Sequence, residues 1–180
     1  MVMSESNTNS VFVVHGHNEF ILKEVKEFII ALGLNPIILR DQPNSGLTTL
    51  IDKFEKYAKT VSFAVVLMTY DDEGHELGPE TVIVTDKEKS IFSFKKEEEI
   101  IPCRPWLSIN PRARQNVIFE FGYFVALLGR NKVTALCEAE IERPSDIDGV
   151  LYIPYDKKGE WKKSLAQDIM AAGIAINNPE

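Results

Sequence analysis

"VFVVHGHNEFILKEVKEFIIALGLNPIILR", residues 11–40, is the stretch from which the fold is read. Its opening "VFVVH" is a short β-branched and aromatic run ended by Gly16, the pattern of a strand buried on both faces. Asn18 then stands where a helix cap is needed, and Phe20, Ile21, Val25, Phe28, Ile29 and Leu32 recur at helical spacing until Gly33 stops the run. "PIILR" (36–40) supplies a second strand. Two strands joined by an amphipathic helix imply a right-handed β-α-β crossover and a parallel sheet.

The same alternation continues. The turn-forming "DQPNSG" (41–46) leads into a helix over 47–59, and "VSFAVVLM" (61–68) is a third strand. Later segments predict a helix from about 111 to 129 closed by Gly129, strands "KVTALC" (132–137) and "GVLYIP" (149–154), and a last helix from about 160 to 172. The expected fold is α/β and flavodoxin-like, a parallel sheet of about five strands with helices on both faces. Residues 1–10 read as a mobile start and 11–176 as one domain. Residues 71–110 exceed an ordinary connection; their strand-like runs "TVIVT" and "SIFSF" suggest a hairpin insertion or a lid, and "KKEEE" reads as a solvated helix turn or loop.

At 180 residues, with 44% hydrophobic and 26% charged residues, the chain suits one domain with a substantial core. The net charge of −7 argues against nucleic acid as the main partner, because neutralising phosphates calls for a basic face. No apolar run approaches the roughly 18–20 residues of a membrane span, and "MVMSESNTNS" lacks the features of a signal peptide, so a cytoplasmic protein is expected. Cys103 and Cys137 share no ligand spacing and are expected as free thiols.

In such folds ligands gather beyond the carboxyl ends of the strands, which directs attention to "HGHNE", "DQPNSG" and "TYDDEG". His15 and His17 could begin a metal site, but only His75 remains to complete one, and a strand-end histidine bonded to backbone is the simpler reading. "DQPNSG" lacks the Lys-Ser/Thr of a P-loop and the spaced glycines of a dinucleotide fingerprint. Asp71 and Asp72 could bind a cation or simply be solvated, and "EAEIERPSDID" (138–148) reads as a surface loop.

One acid stands out. Glu120 lies among Phe119, Phe121, Tyr123 and Phe124 in "NVIFEFGYFVALLG" (116–129), and an unpaired carboxylate removed from water costs several kcal/mol or shifts its pKa. On a continuous helix Arg112, Asn116 and Glu120 would form one ridge. Either an arginine (Arg112 or Arg114) or a backbone donor holds the acid, or it has a chemical task.

Taken in order, "VFVVHGHNE", "LRDQPNSGLTTLIDKFEKYA", "FAVVLMTYDDEG", "PRARQNVIFEFGYFVALLGR" and "PSDIDGVLYIPYD" resemble the bacterial TIR-like domains described as nucleotide-binding, which act as effectors in cyclic-nucleotide-triggered antiphage systems. The likeness runs from about residue 11 to 173, interrupted at 71–110. It implies a TIR fold and NAD glycohydrolase activity, which cleaves the nicotinamide–ribose bond to give nicotinamide and ADP-ribose or a cyclic form. NAD is then substrate, with no cofactor. The essential glutamate of the family matches Glu120. "DQPNSG" falls at the position of the BB loop, so Gln42, Asn44 and Ser45 are implied loop contacts, and His15, Gly16, Tyr70, Arg114 and Asn116 are implied cleft residues. Trp106 could add a ring or simply pack in the core.

The resemblance further implies self-association through TIR domains and a cyclic-nucleotide sensor. The chain is too short to hold such a sensor as well, so the trigger is expected from a separate protein, from a larger protein of which this is a domain, or from a ligand read by the domain itself. A non-catalytic TIR interaction or nucleotide-binding module is the alternative, since fold does not fix function. A phosphoacceptor receiver using Asp71 and Lys157 fits poorly, because "HGHNE" stands where magnesium-binding acids would be needed.

Overall fold

The computed structural model describes residues 9–44, 46, 49–74, 81–86, 89–96, 99–102, 110–144 and 151–177. The expected Ser45 contact, His75, Cys103 and Trp106 lie outside these residues, as do residues 1–8.

In chain order the elements are β1 (Ser10–Val14), α1 (Glu19–Ala31), β2 (Asn35–Ile37), α2 (Leu50–Ala58), β3 (Phe63–Met68), β4 (Asp72–Gly74), β5 (Thr81–Asp86), β6 (Lys89–Lys96), β7 (Glu99–Pro102), β8 (Asn110–Arg112), α3 (Gln115–Leu128), β9 (Val133–Cys137), β10 (Leu151–Pro154) and α4 (Glu160–Ala171). Five strands form the main sheet in the order β10-β9-β3-β1-β2, all parallel. The direction of winding reverses between β1 and β3, which makes their carboxyl ends the switch point where flavodoxin-like domains bind ligands.

Strand alternation divides the core into two layers. Val11 and Val13 join Phe63, Val65 and Leu67 beneath α1 and α4, where Phe28 meets Trp161 edge-on at 5.4 Å between ring centres. Phe12 and Val14 join Ala64, Val66 and Met68 on the other face, beneath α2 and α3. There Phe12, Phe54 and Phe124 form an aromatic triangle with centre-to-centre distances of 4.7–5.7 Å.

The helix ends follow local chemistry. Asn18 accepts from the Ile21 N–H and caps α1, as expected from the sequence. Gly33, at φ +77°, lets Leu34 N–H reach Ile29 O and its own N–H reach Ile30 O, which satisfies the last carbonyls of the helix. α2 starts at Leu50, three residues later than its apolar periodicity suggests, because Thr49 and Asp52 form a reciprocal capping box there. β2 is shorter than "PIILR": after Ile37 the chain tightens into a 3-10 turn over Leu39–Asp41, and Arg40 donates through Nη1 and Nη2 to the two carboxylate oxygens of Glu19 in α1.

The start of α3 differs most. Residues 110–112 do not continue a helix from 111; they pair antiparallel with β4, joining Asp72 to Arg112 and Gly74 to Asn110. Arg112 is therefore not on the helix, and the expected Arg112–Asn116–Glu120 ridge loses its first member. Its guanidinium forms a two-pronged pair with Glu142 at 2.7 and 2.8 Å.

The long connection is an insertion, as its strand-like runs suggest. β5, β6 and β7 form an antiparallel sheet of their own, and the β4–β8 ladder joins the ends of the segment. Of "KKEEE", expected as a solvated helix turn or loop, Lys95 and Lys96 end β6 and Glu99 begins β7, and residues 97–98 lie outside the described set. No described helix is long and apolar enough to cross a membrane.

Cys137 is a buried free thiol at the end of β9. Burial pushes its pKa up to about 11, against a smaller opposing effect of Arg143. Since the thiolate is the reactive form, Cys137 is expected to resist alkylation in the native protein and to react once the protein unfolds, as read by peptide mass mapping.

Candidate functional site

The site is built from three segments at the carboxyl edge of the sheet, around the β1/β3 switch point. The first is the loop His15–Asn18 after β1; the second is Thr69–Asp71 after β3; the third is the first two turns of α3.

Asp71 ties the first two together. Its side chain is 3% exposed. One carboxylate oxygen accepts from the His17 backbone N–H at 2.8 Å, and the other accepts from the Thr69 hydroxyl at 2.5 Å. The carboxylate rests on Gly16, where an added Cβ would lie 1.8 Å from Asp71 Oδ2. Gly16 therefore serves as a floor without a side chain. The pair of acids weighed as a cation site in the sequence is split: Asp71 is built into this loop, whereas Asp72 opens β4 and is exposed.

His17 links this loop to α3. Arg114, at the N-cap of α3, lies with Nη1 3.1 Å from His17 Nε2. A guanidinium can only donate, so Nε2 accepts and the ring proton sits on Nδ1. Nδ1 is 3.8 Å from Asp71 Oδ1, an electrostatic contact rather than a hydrogen bond.

Glu120 follows in the second turn of α3. Its neighbours Phe121 and Phe124 are fully buried, and Tyr123 stacks edge-on against Phe54 of α2 at 4.9 Å. Glu120 itself is half-buried. Among the described residues it takes no hydrogen bond and no ion pair within 4.0 Å. Burial raises its pKa to about 7, and the opposing field of Arg114 is the smaller influence. Of the expected partners, Arg112 pairs with Glu142 instead and Arg114 acts on the acid through its charge, without a hydrogen bond or ion pair to it within 4.0 Å among the described residues.

The other expected contacts have local surroundings of their own. His15 is half-buried, with Nδ1 2.8 Å from Gly16 O. Burial lowers its pKa, and the charges acting on it are Arg40, Glu19 and Asp41 rather than Glu120. Asn116 is exposed in the first turn of α3, four residues before Glu120. Gln42 donates to Ile38 O at 3.3 Å, Pro43 O accepts from the Tyr57 hydroxyl at 3.2 Å, and Asn44 is exposed. Tyr70 is exposed, and its hydroxyl donates to Glu73 at 2.5 Å.

Two residues escaped the sequence reading. His17 reads from the sequence as a metal ligand or as a strand-end histidine bonded to backbone, and its neighbour in space, Arg114, is 97 positions distant in the chain. Glu138, expected in a surface loop, accepts from the Tyr70 backbone N–H at 2.8 Å and from the Asn18 amide at 3.4 Å, joining the loops after β1, β3 and β9. Its place immediately after a strand was the available signal.

A cavity of about 320 Å³ lies beside the β4–β8 ladder, lined among others by Glu73, Arg112, Gln115, Ile118, Glu142 and Arg143. Ile118 and Glu120 are two residues apart on a helix of 3.6 residues per turn, so they project to opposite flanks of α3. Glu120 is not part of that cavity's lining.

A parallel 2-1-3-4-5 sheet with an acid-bearing helix beside its switch point is the arrangement of a TIR-type flavodoxin-like domain. The chain belongs to the family described as CAP12/Pycsar effector protein, TIR domain, which it matches over residues 10–157. It is 40% identical over 170 residues to the uncharacterized protein YuaY of Escherichia coli (strain K12), a match covering 94% of this chain and 48% of that protein. It is 31% identical over 162 residues to the protein tirC of Dictyostelium discoideum, covering 84% of this chain and 69% of tirC. The chain therefore spans about half the length of YuaY and about two thirds of tirC.

Proposed function

We propose that the protein is a TIR-type NAD glycohydrolase acting in antiphage defence, with Glu120 as its catalytic residue. The observation that carries the reading is the state of that side chain: a half-buried carboxylate with a pKa near 7 and no hydrogen-bond or ion-pair partner among the described residues, next to the switch point of the sheet. A carboxyl group kept poised at neutral pH without a structural partner is suited to meet a cationic ligand.

In the proposed reaction the bond between the ribose anomeric carbon and the nicotinamide nitrogen breaks, and its electron pair leaves with nicotinamide, which becomes neutral. Positive charge develops on the ribose and is stabilised by the ionised Glu120. Water adds to the anomeric carbon and gives up a proton, yielding ADP-ribose; attack by a group within the nucleotide would instead give a cyclic product. Apolar walls strengthen the electrostatic interaction by excluding water. His15, Gly16, Arg114 and Asn116 are the proposed contacts around the substrate, with Gln42, Asn44 and Ser45 from the loop after β2. Tyr70, whose hydroxyl is bonded to Glu73, is a further proposed contact.

Activity is proposed to require self-association and to answer a cyclic-nucleotide signal sensed elsewhere. The purified protein is therefore expected to release nicotinamide from NAD when crowded and much less when dilute, with cyclic mono- and dinucleotides tested in parallel. A fluorescence or chromatographic assay that detects no release under any of these conditions would reject the enzyme reading. One observation favours the alternative of a non-catalytic nucleotide-binding module: the 320 Å³ cavity lies on the flank of α3 facing away from Glu120. Binding of NAD or another nucleotide without turnover is the result that module predicts.

A further inference from the structure

We propose that Asp71 and His17 form a chain that fixes the Arg114 guanidinium within electrostatic reach of Glu120, which makes His17 a positioning residue of this site. For catalysis the inference rests on the function proposed above; for structure it does not.

The argument starts at the buried end. Asp71 cannot move without losing two hydrogen bonds and its seat on Gly16, so it is the anchor. Through the His17 backbone N–H it sets where that residue leaves the loop, and its Oδ1 faces the Nδ1 side of the ring. This favours the tautomer with the proton on Nδ1, leaving Nε2 as the acceptor that Arg114 needs. Arg114 occupies an N-cap without a side-chain cap of its own, so among the described residues the His17 ring is the partner that orients it. The field that reaches Glu120 comes from Arg114, whereas Glu19 and Arg40, with Asp41, act on His15. Glu19 lies within the field of both strand-end histidines, but only His17 meets Arg114. The chain crosses three segments that are remote in sequence, and holding a long, exposed arginine in one place reduces the entropy it would otherwise retain.

The test uses the whole chain, isotopically labelled and free of NAD, followed by NMR. The His17 ring is expected to show an unprotonated Nε2 at neutral pH. Replacing Arg114 by Gln is expected to raise the Glu120 titration midpoint by about one pH unit, and His17→Ala by about half of that, the size of a partly screened charge contact. His17→Ala should add nothing once Arg114 is Gln, because it acts through that residue. His17→Gln, whose side-chain oxygen can still accept from Arg114, should restore the parent midpoint. A protonated Nε2, an unchanged midpoint in His17→Ala, or an undiminished His17→Ala effect in the Arg114→Gln background would overturn the proposal. Where NAD cleavage is detected, its pH dependence is expected to follow the same midpoints. Coupled titrations in a protein that cleaves no NAD would sink the enzyme reading and leave the positioning chain standing.

Discussion

Glu120→Gln is expected to lower nicotinamide release by about a thousandfold while making the protein more stable above neutral pH. The first effect follows because glutamine keeps the shape of the side chain but loses the charge that meets the developing cation, and about 4 kcal/mol of transition-state stabilisation corresponds to that factor. The second follows from the raised pKa, from an ordinary 4.5 to about 7 in the fold. An acid whose pKa is higher folded than unfolded is easier to bury protonated. Folding therefore incurs no penalty from this group below pH 4.5, a growing one between 4.5 and 7, and the full one above 7. The variant avoids it, so the stability difference should approach about 3 kcal/mol at pH 8 and vanish below pH 4.5. Urea titrations at the two pH values measure it. In the parent, kcat/KM is expected to rise through about pH 7 as the acid ionises. Parent-like turnover in the variant would exclude Glu120 from the chemistry; a pH-independent stability difference would mean that the acid is not desolvated as described.

Gly16→Ala is expected to be among the most damaging single-methyl additions. Its new Cβ would fall 1.8 Å from Asp71 Oδ2, far inside contact distance. Either the loop moves or the Asp71 carboxylate leaves the His17 N–H and the Thr69 hydroxyl. Displacing a buried charged acceptor from two donors costs about 2–4 kcal/mol. Chemical denaturation should show this loss, together with strong shifts of the His17 and Thr69 amide resonances. Combining Gly16→Ala with Asp71→Ala should cost less than the sum of the two changes, because the second removes the obstacle met by the first. Parent-like stability and unchanged spectra in Gly16→Ala would contradict the packing.

The division between what the sequence disclosed and what it concealed follows the range of the interactions. β1, β3 and β9 are continuous apolar runs because both of their faces are covered, and that pattern is local enough to read. Asn18 and Gly33 punctuate α1 through bonds spanning only a few residues. Family motifs singled out Glu120, and its apolar neighbours alone made it conspicuous. The beginning of α3 was concealed because residues 110–112 are held by a strand nearly forty positions earlier, and no local periodicity reports such a pairing. The partner of Arg112 was hidden for the same reason, as were the links made by His17 and Glu138. β7 was concealed by charge: "EIIP" follows a run of lysines and glutamates that reads as a solvated turn.

The ladder between β4 and β8 has a consequence for how this domain can be altered. Because the two chains entering and leaving the excursion run side by side, about 5 Å apart, the main sheet is indifferent to what is hung between them. Such a socket gives engineers a place to graft a reporter or a tether onto the domain without refolding the scaffold.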